Sequence, residues 1–177
     1  MIDTVTLNPS VDYTLSIDEI QFGKTNRSCR EEIHFGGKGI NVSCVLAELG
    51  IPSVALGFAA GFTGRALEED LAARGIAVRM IHLPEGVSRI NIKLQSGNGE
   101  ETEINGSGPA ISPEALGKLI AQLNELAAGD TLVLAGSIPR SLPPDTYERM
   151  LAAVSGKNIR CVAVSYTHLT LPTILLV

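Results

Sequence analysis

The chain has 177 residues with 14 Lys and Arg against 19 Asp and Glu, a net charge of −5, which argues against a general nucleic-acid binder. Aromatic residues make up 4% and Trp is absent, so there is no stacking platform for bases. Hydrophobic residues at 45% and charged residues at 19% describe one ordinary globular domain and exclude a disordered chain.

Residues 2–7 form a short β-branched run stopped by Asn8-Pro9-Ser10, which predicts a strand and then a loop. Two further strands are expected over residues 13–20 and 28–35, on either side of a polar turn containing Gly23. Gly36-Gly37-Lys38-Gly39 then opens a helix whose Val42, Val45, Leu46 and Leu49 share one helical stripe, with Gly50 as its stop. A buried strand over residues 53–59 leads through a loop, Gly61 to Gly64, into a helix ending near Arg74-Gly75. A short strand follows at 78–82.

Residues 89–105 read as a hairpin. Arg89, Asn91, Lys93 and Gln95 alternate with Ile90, Ile92 and Leu94, which makes one polar and one apolar face. Pairing across the Gly97-Asn98-Gly99 loop sets Lys93 opposite Glu103, Asn91 opposite Asn105 and Ile92 opposite Ile104. A slip of one residue would mix the faces. Ser112-Pro113 caps the next helix, whose stripe is Leu116, Leu119, Ile120, Leu123 and Leu126. A buried strand at 131–135 runs into Gly136-Ser137. A helix over 144–154 turns Tyr147, Met150, Leu151 and Val154 inward, and a buried strand is expected at 159–164. Strands alternating with amphipathic helices predict an α/β fold with a parallel sheet covered on both faces. The early strands and the hairpin stand outside that alternation as a lid.

Cys29, Cys44 and Cys161 are widely spaced with no Cys-x-x-Cys pair, and read as reduced core or near-core thiols of a cytoplasmic protein. No run is long enough to span a bilayer and the N-terminus lacks a basic, apolar leader, so no membrane partner is expected. Gly23-Lys24-Thr25 ends like a phosphate-binding P-loop, but Asp18 stands where its first glycine belongs, and there is no Gly-x-Gly-x-x-Gly. His34, His82 and His168 share no ligand spacing, so no metal site is expected from them. Gly129-Asp130 ends a helix and precedes a strand, the wrong context for a catalytic Gly-Asp. The strongest local signal is Gly36-Gly37-Lys38-Gly39-Ile40-Asn41. Its glycines let backbone N–H groups approach a ligand, and its helix N-terminus attracts anions. Asp12 after the first strand, Arg89 and Lys93 on the polar hairpin face, and Gly136-Ser137 at another strand end suit a phosphorylated polyol.

Two ordered segments, Thr4-Val5-Thr6-Leu7-Asn8-Pro9-Ser10-Val11-Asp12 and Phe35-Gly36-Gly37-Lys38-Gly39-Ile40-Asn41-Val42, resemble the ribokinase-like (PfkB-type) sugar kinase family. Gly57-Phe58, Gly61-Phe62-Thr63-Gly64, Ser88-Arg89-Ile90-Asn91-Ile92-Lys93, Glu101-Thr102-Glu103-Ile104-Asn105 and Gly108-Pro109 resemble the members that act on fructose 1-phosphate. Those acting on tagatose 6-phosphate are similar. The resemblance covers residues 1–164 and implies a ribokinase-like parallel-sheet sandwich with a small β lid at about 13–35 and 88–106. It implies ATP- and Mg²⁺-dependent phosphoryl transfer to the 6-hydroxyl of fructose 1-phosphate. Asp12 and Asn41 would then hold sugar hydroxyls, with the Gly36-Gly37 backbone and Lys38 against the sugar. Arg89 and Lys24 would neutralise phosphate, and Ser137 would add a contact.

Family members are nearly twice this long, and their nucleotide site and Gly-Ala-Gly-Asp anion hole lie in the C-terminal half. The resemblance therefore implies a fragment without the ATP site, the metal site or the catalytic base. A non-catalytic sugar-phosphate-binding fragment is the alternative. From Cys161 to Val177 there is no Asp, Glu, Lys or Arg, and residues 165–177 are read as a non-native tail. An exposed lid face points to a homodimer.

Overall fold

The structure, a computed structural model, describes residues 1–164; the tail at 165–177 lies outside the described residues. Five parallel strands form the central sheet: β1 (Ile2–Thr6), β4 (Ser53–Ala60), β5 (Ala77–Leu83), β8 (Thr131–Ala135) and β9 (Arg160–Val164), in the order β5-β4-β1-β8-β9. Helices α1 (Lys38–Glu48) and α2 (Gly61–Ala73) cover one face, and α3 (Pro113–Leu123) and α4 (Thr146–Ala153) the other. The alternation along β4 divides its side chains accordingly. Ala55 and Ala59 pack with Ile40, Leu67 and Leu71, whereas Leu56 and Phe58 pack with Leu119, Leu123 and Tyr147.

A second sheet, ordered β3-β2-β6-β7, is built from β2 (Ser10–Ile17), β3 (Arg30–Gly36), β6 (Arg89–Ser96) and β7 (Glu101–Asn105). Its hairpin has the expected register, Asn91 opposite Asn105, Ile92 opposite Ile104 and Lys93 opposite Glu103. Ser88 ties this lid to the core. Its N–H donates to the Ala60 carbonyl at 2.9 Å, its Oγ accepts from the Ala60 N–H at 2.9 Å, and its carbonyl accepts from Thr63 Oγ1 at 2.9 Å.

Several elements differ from expectation. Asp12 does not sit just after the first strand: β2 begins at Ser10, so Asp12 belongs to the lid, paired in register with His34 and Asn91. No loop separates β4 from α2, which begins at Gly61, because Ser88 anchors the junction. In α1 the buried face is Gly39, Ile40 and Ser43, while Val45 and Leu49 are 54% and 67% exposed. A Cβ at Gly39 would fall 2.6 Å from the Val5 carbonyl oxygen, so the helix lies too close to β1 for a bulky stripe. Its inward hydroxyl, Ser43 Oγ, instead bonds Thr4 Oγ1 at 2.7 Å and Ser53 Oγ at 3.1 Å. Strand β9 is an edge of the sheet among the described residues, half exposed rather than buried. Of the cysteines only Cys29 departs from the expected core or near-core position, being exposed; Cys44 and Cys161 are half-buried against the core, and all three are free thiols. No helix among the described residues is long and apolar enough to cross a membrane.

Candidate functional site

The strand order switches sides at β1, whose parallel neighbours are β4 on one side and β8 on the other. In open α/β sheets the crevice beyond the carboxyl ends of such strands receives ligands. A cavity of about 320 Å³ lies there. Its floor is Thr6, Leu7 and Asn8 after β1 and Ala135, Gly136 and Ser137 after β8; its roof is the polar face of the lid.

Helix α1 opens on this cavity through Gly37, Lys38 and Asn41. Gly37 has φ of 129°, a region L side chains avoid, and a Cβ there would lie 2.5 Å from Thr6 Cγ2. With no side chain at the N-cap, Thr6 supplies the cap from the strand: its Oγ1 accepts from the Ile40 N–H at 2.9 Å. The helix end is thereby held over β1, with its positive dipole towards the cavity.

Gly36 lies beside the cavity. A Cβ at this position would stand 3.6 Å from Asp12 Oδ2 and 3.9 Å from Asn41 Oδ1, so the glycine keeps open the space between carboxylate and amide. Above them the parallel pairing of β2 with β6 sets Asp12 level with Asn91. Asn91 Nδ2 donates to Asp12 Oδ1 at 2.9 Å, and Lys93 Nζ lies 3.6 Å from Asp12 Oδ2 and 3.7 Å from Glu103 Oε1. Arg89 Nε is buried without a partner among the described residues. At the floor, the buried Tyr147 hydroxyl donates to the Gly136 carbonyl at 3.0 Å and fixes the turn that presents Ser137. Burial pushes that phenol well above its ordinary value of 10.0, so it stays a donor at physiological pH.

The structure thus brings Asp12, Gly37, Lys38, Asn41, Arg89 and Ser137 to one cavity, with Gly36 outside the lining but next to Asp12 and Asn41. Lys24 is not among them; it sits in the exposed turn between β2 and β3, outside the cavity lining. Asn91, Glu103 and Asn105 also line the cavity and were not singled out as site residues from sequence. Their signal was present in the alternation of the hairpin, which puts Asn91 on the same face as Arg89 and Lys93.

The cavity carboxylates Asp12 and Glu103 share Lys93 as counter-ion. Among the described residues no group of three or more His, Cys, Asp or Glu is placed to hold a metal ion. Two carboxylates already paired with one ammonium do not fit Mg²⁺. Asp130 is at the opposite edge of the sheet, 2.7 Å from the Met1 amine, and has no access to the cavity.

A switch-point crevice that combines a carboxylate, an amide, a glycine-lined helix N-terminus and an arginine has the chemistry of a small-molecule site. The chain belongs to the pfkB family of carbohydrate kinases, whose model matches residues 5–172. That match runs past residue 164, into the segment read as a tail. The 1-phosphofructokinase of Bacillus subtilis is 46% identical over 162 residues, 92% of this chain and 52% of the relative. The D-tagatose-1-phosphate kinase of Bacillus licheniformis is 39% identical, over 89% of this chain and 51% of its own length. A putative phosphofructokinase from Staphylococcus aureus superposes with a TM-score of 0.85 at 37% identity, covering 92% of this chain and 52% of that one. The ribokinase of Giardia lamblia shares the fold at 15% identity, with a TM-score of 0.74 over 96% of this chain and 56% of that one. The chain spans about half the length of the curated relatives it matches.

Proposed function

We propose that this chain is the sugar-phosphate half of an ATP- and Mg²⁺-dependent kinase that phosphorylates fructose 1-phosphate at its 6-hydroxyl. The observation that carries this reading is the convergence of Asp12, Asn41, Arg89 and Ser137 on one cavity at the carboxyl edge of the sheet. Asp12 and Asn41 bind and orient sugar hydroxyls across the gap left by Gly36. Arg89 and the N-terminus of α1 neutralise phosphate, and Lys24 contributes only where a loop movement or a second subunit brings it in. No general base is assigned among the described residues, and the sequence contains no Gly-Ala-Gly-Asp.

A tagatose phosphate is the second reading, favoured by the 39% identical relative. That relative is named for the 1-phosphate, whereas the sequence motifs had pointed to tagatose 6-phosphate. Both named substrates carry phosphate on carbon 1, which fits a single anion pocket at Arg89. The apolar outer face of the lid, with Ile33 60% and Ile104 57% exposed, supports a homodimer formed through the lid.

The test is calorimetric titration of the purified chain with fructose 1-phosphate, tagatose 1-phosphate and tagatose 6-phosphate, followed by a coupled assay with Mg·ATP. Saturable binding of fructose 1-phosphate without turnover is expected. If no ketohexose phosphate binds, the reading is wrong. Turnover above a no-protein control would show that the 177 residues do contain the base.

A further inference from the structure

Helix α2 starts without a cap of its own. Its N-cap residue, Ala60, offers no polar side chain to close the first turn, and the helix opens Gly61-Phe62-Thr63. In a self-capped helix the third residue reaches back to the N–H of the N-cap residue, whose side chain bonds the third N–H in return. Here the hydroxyls make their bonds with the lid instead. Ser88 Oγ accepts from the Ala60 N–H at 2.9 Å, and Thr63, the third residue of α2, donates through Oγ1 to the Ser88 carbonyl at 2.9 Å. The path from Thr63 Oγ1 back to the Ala60 carbonyl is longer, 3.5 Å. Both residues are buried, Ser88 1% and Thr63 3% exposed. A Cβ at Gly64 would stand 3.1 Å from Ser88 Oγ, so the first turn of the helix lies directly against the entry to the lid.

The carbonyl that Thr63 holds belongs to the peptide linking Ser88 to Arg89, the first residue of β6. Arg89 Nε has no partner among the described residues, so the direction in which this side chain enters the cavity rests on its backbone. We infer that Thr63 is a positioning residue for the anion site: through the Ser88 carbonyl it fixes the Ser88–Arg89 peptide and thereby aims the Arg89 guanidinium into the cavity. This rests on the sugar-phosphate reading above and deepens it, because the anion affinity of the cavity is then set in part from a core helix. Thr63 lies outside the cavity lining, so it acts on a bound phosphate only through Arg89. A group that contacts ligand is held to its productive geometry by the buried hydrogen bonds behind it.

A double-mutant cycle on the whole chain tests this, read by calorimetric titration with fructose 1-phosphate. Thr63→Val keeps the shape of the side chain and removes only the donor; it should weaken binding about three- to tenfold. Thr63→Ser keeps the donor and should bind as the parent does. In an Arg89→Ala background, Thr63→Val should cost no more than about twofold further, because the group it aims is gone. Thermal melting of the same variants reports folding separately. A Thr63 that only stabilises the fold would lower the melting point and leave affinity unchanged, or would cost the same factor with and without Arg89. Either result overturns the inference. So does a Thr63→Ser as weak as Thr63→Val, which would show that the hydroxyl is not what matters. Should Thr63→Val not fold, Ser88→Ala takes its place and breaks the same clamp from the lid side. The same loss is expected in the parent, with no more than about twofold in the absence of Arg89, and unchanged affinity sinks the inference. If the parent chain itself binds no fructose 1-phosphate, the sugar-phosphate reading fails first and takes this inference with it.

Discussion

The two sheets of this molecule are held together by different forces. In the central sheet, Val5, Leu132 and Leu134 are fully buried, and helices lie against both faces. In the lid, the four strands keep a strict register, yet the more buried face is the polar one: Asn91 is 6% exposed while Ile104 on the opposite face is 57% exposed. Hydrophobic burial therefore organises the core, whereas backbone pairing and cross-strand polar contacts organise the lid. The core should control stability and the lid should control recognition.

Breaking the core should give the largest effect. Leu119 on α3 is fully buried, and Leu119→Ala should cost about 3 kcal/mol through lost transfer energy and a residual cavity. Urea unfolding measures this, and a shift below about 1 kcal/mol would mean that α3 is loosely packed. Sugar-phosphate affinity of the folded fraction should stay unchanged.

The lid should behave in the opposite way. Arg89→Ala removes a charged donor whose Nε has no partner among the described residues, so folding loses little. Binding of fructose 1-phosphate should fall by about 1.5–3 kcal/mol, the scale of a hydrogen bond to a charged group. Arg89→Lys should recover only part of this, because the planar fork is gone. Unchanged affinity in both variants would remove Arg89 from the anion site.

The same contrast explains what could be read from the sequence. The Ser112 cap is seen as expected, accepting from the Ala115 N–H at 3.1 Å, and Leu116, Leu119 and Leu123 are buried. Both follow from local rules of period and capping. The hairpin register was also legible, because only one pairing keeps Ile92 against Ile104. Helix α1 was misread because its inward face is set by how near β1 comes, a tertiary quantity that Gly39 hints at but side-chain hydrophobicity contradicts. Asp12 lines the cavity, but from the second strand, inside the lid, and not from the end of the first. Ser10 looks like loop in sequence and becomes strand only because Gly36 and Arg89 pair with it. Asn91 was passed over since an asparagine on a polar strand face is ordinary; its burial appears only when the lid closes over the crevice.

Charging the lid's outer face sharpens the comparison with a smaller effect. Ile104→Lys places a cation on edge strand β7 where the side chain is already 57% exposed, so folding stability should change by no more than about 0.5 kcal/mol. Self-association measured by sedimentation should weaken, since Lys on an edge strand opposes pairing with another copy. An unchanged sedimentation profile from a dimeric parent would move the dimer contact elsewhere.

The smallest expected effect lies at the amino edge of the core, the end of the sheet opposite the cavity, where pH should matter for stability and not for binding. The Met1 amine is 2.7 Å from Asp130 Oδ1, and the Asp130 carboxylate also accepts from the Ala127 N–H at 2.8 Å. The hydrogen bond it donates to Asp130 raises the amine above its ordinary 8.0, and the same bond, helped by the Ala127 N–H, lowers Asp130 below its ordinary 3.8. A raised amine stabilises the fold fully below its ordinary value and loses that contribution as pH rises through the raised one. A lowered carboxyl stabilises fully above its ordinary value and loses that contribution as pH falls through the lowered one. The pair therefore contributes most between about pH 4 and 8. Asp3 has the opposite sign in acid: burial raises it, and the Asp130 charge adds to the rise. Its ionised form is disfavoured in the folded chain, so acidification relieves a cost there. Urea midpoints at pH 3, 6 and 9.5 separate the two. Asp130→Asn should flatten the maximum near pH 6, and Asp3→Asn should raise stability at pH 6 more than at pH 3. Fructose 1-phosphate affinity should be the same in both variants at pH 6, because neither carboxylate lines the cavity. A loss of affinity in Asp130→Asn with the midpoint unchanged would contradict this division between a core that sets stability and a lid that sets recognition.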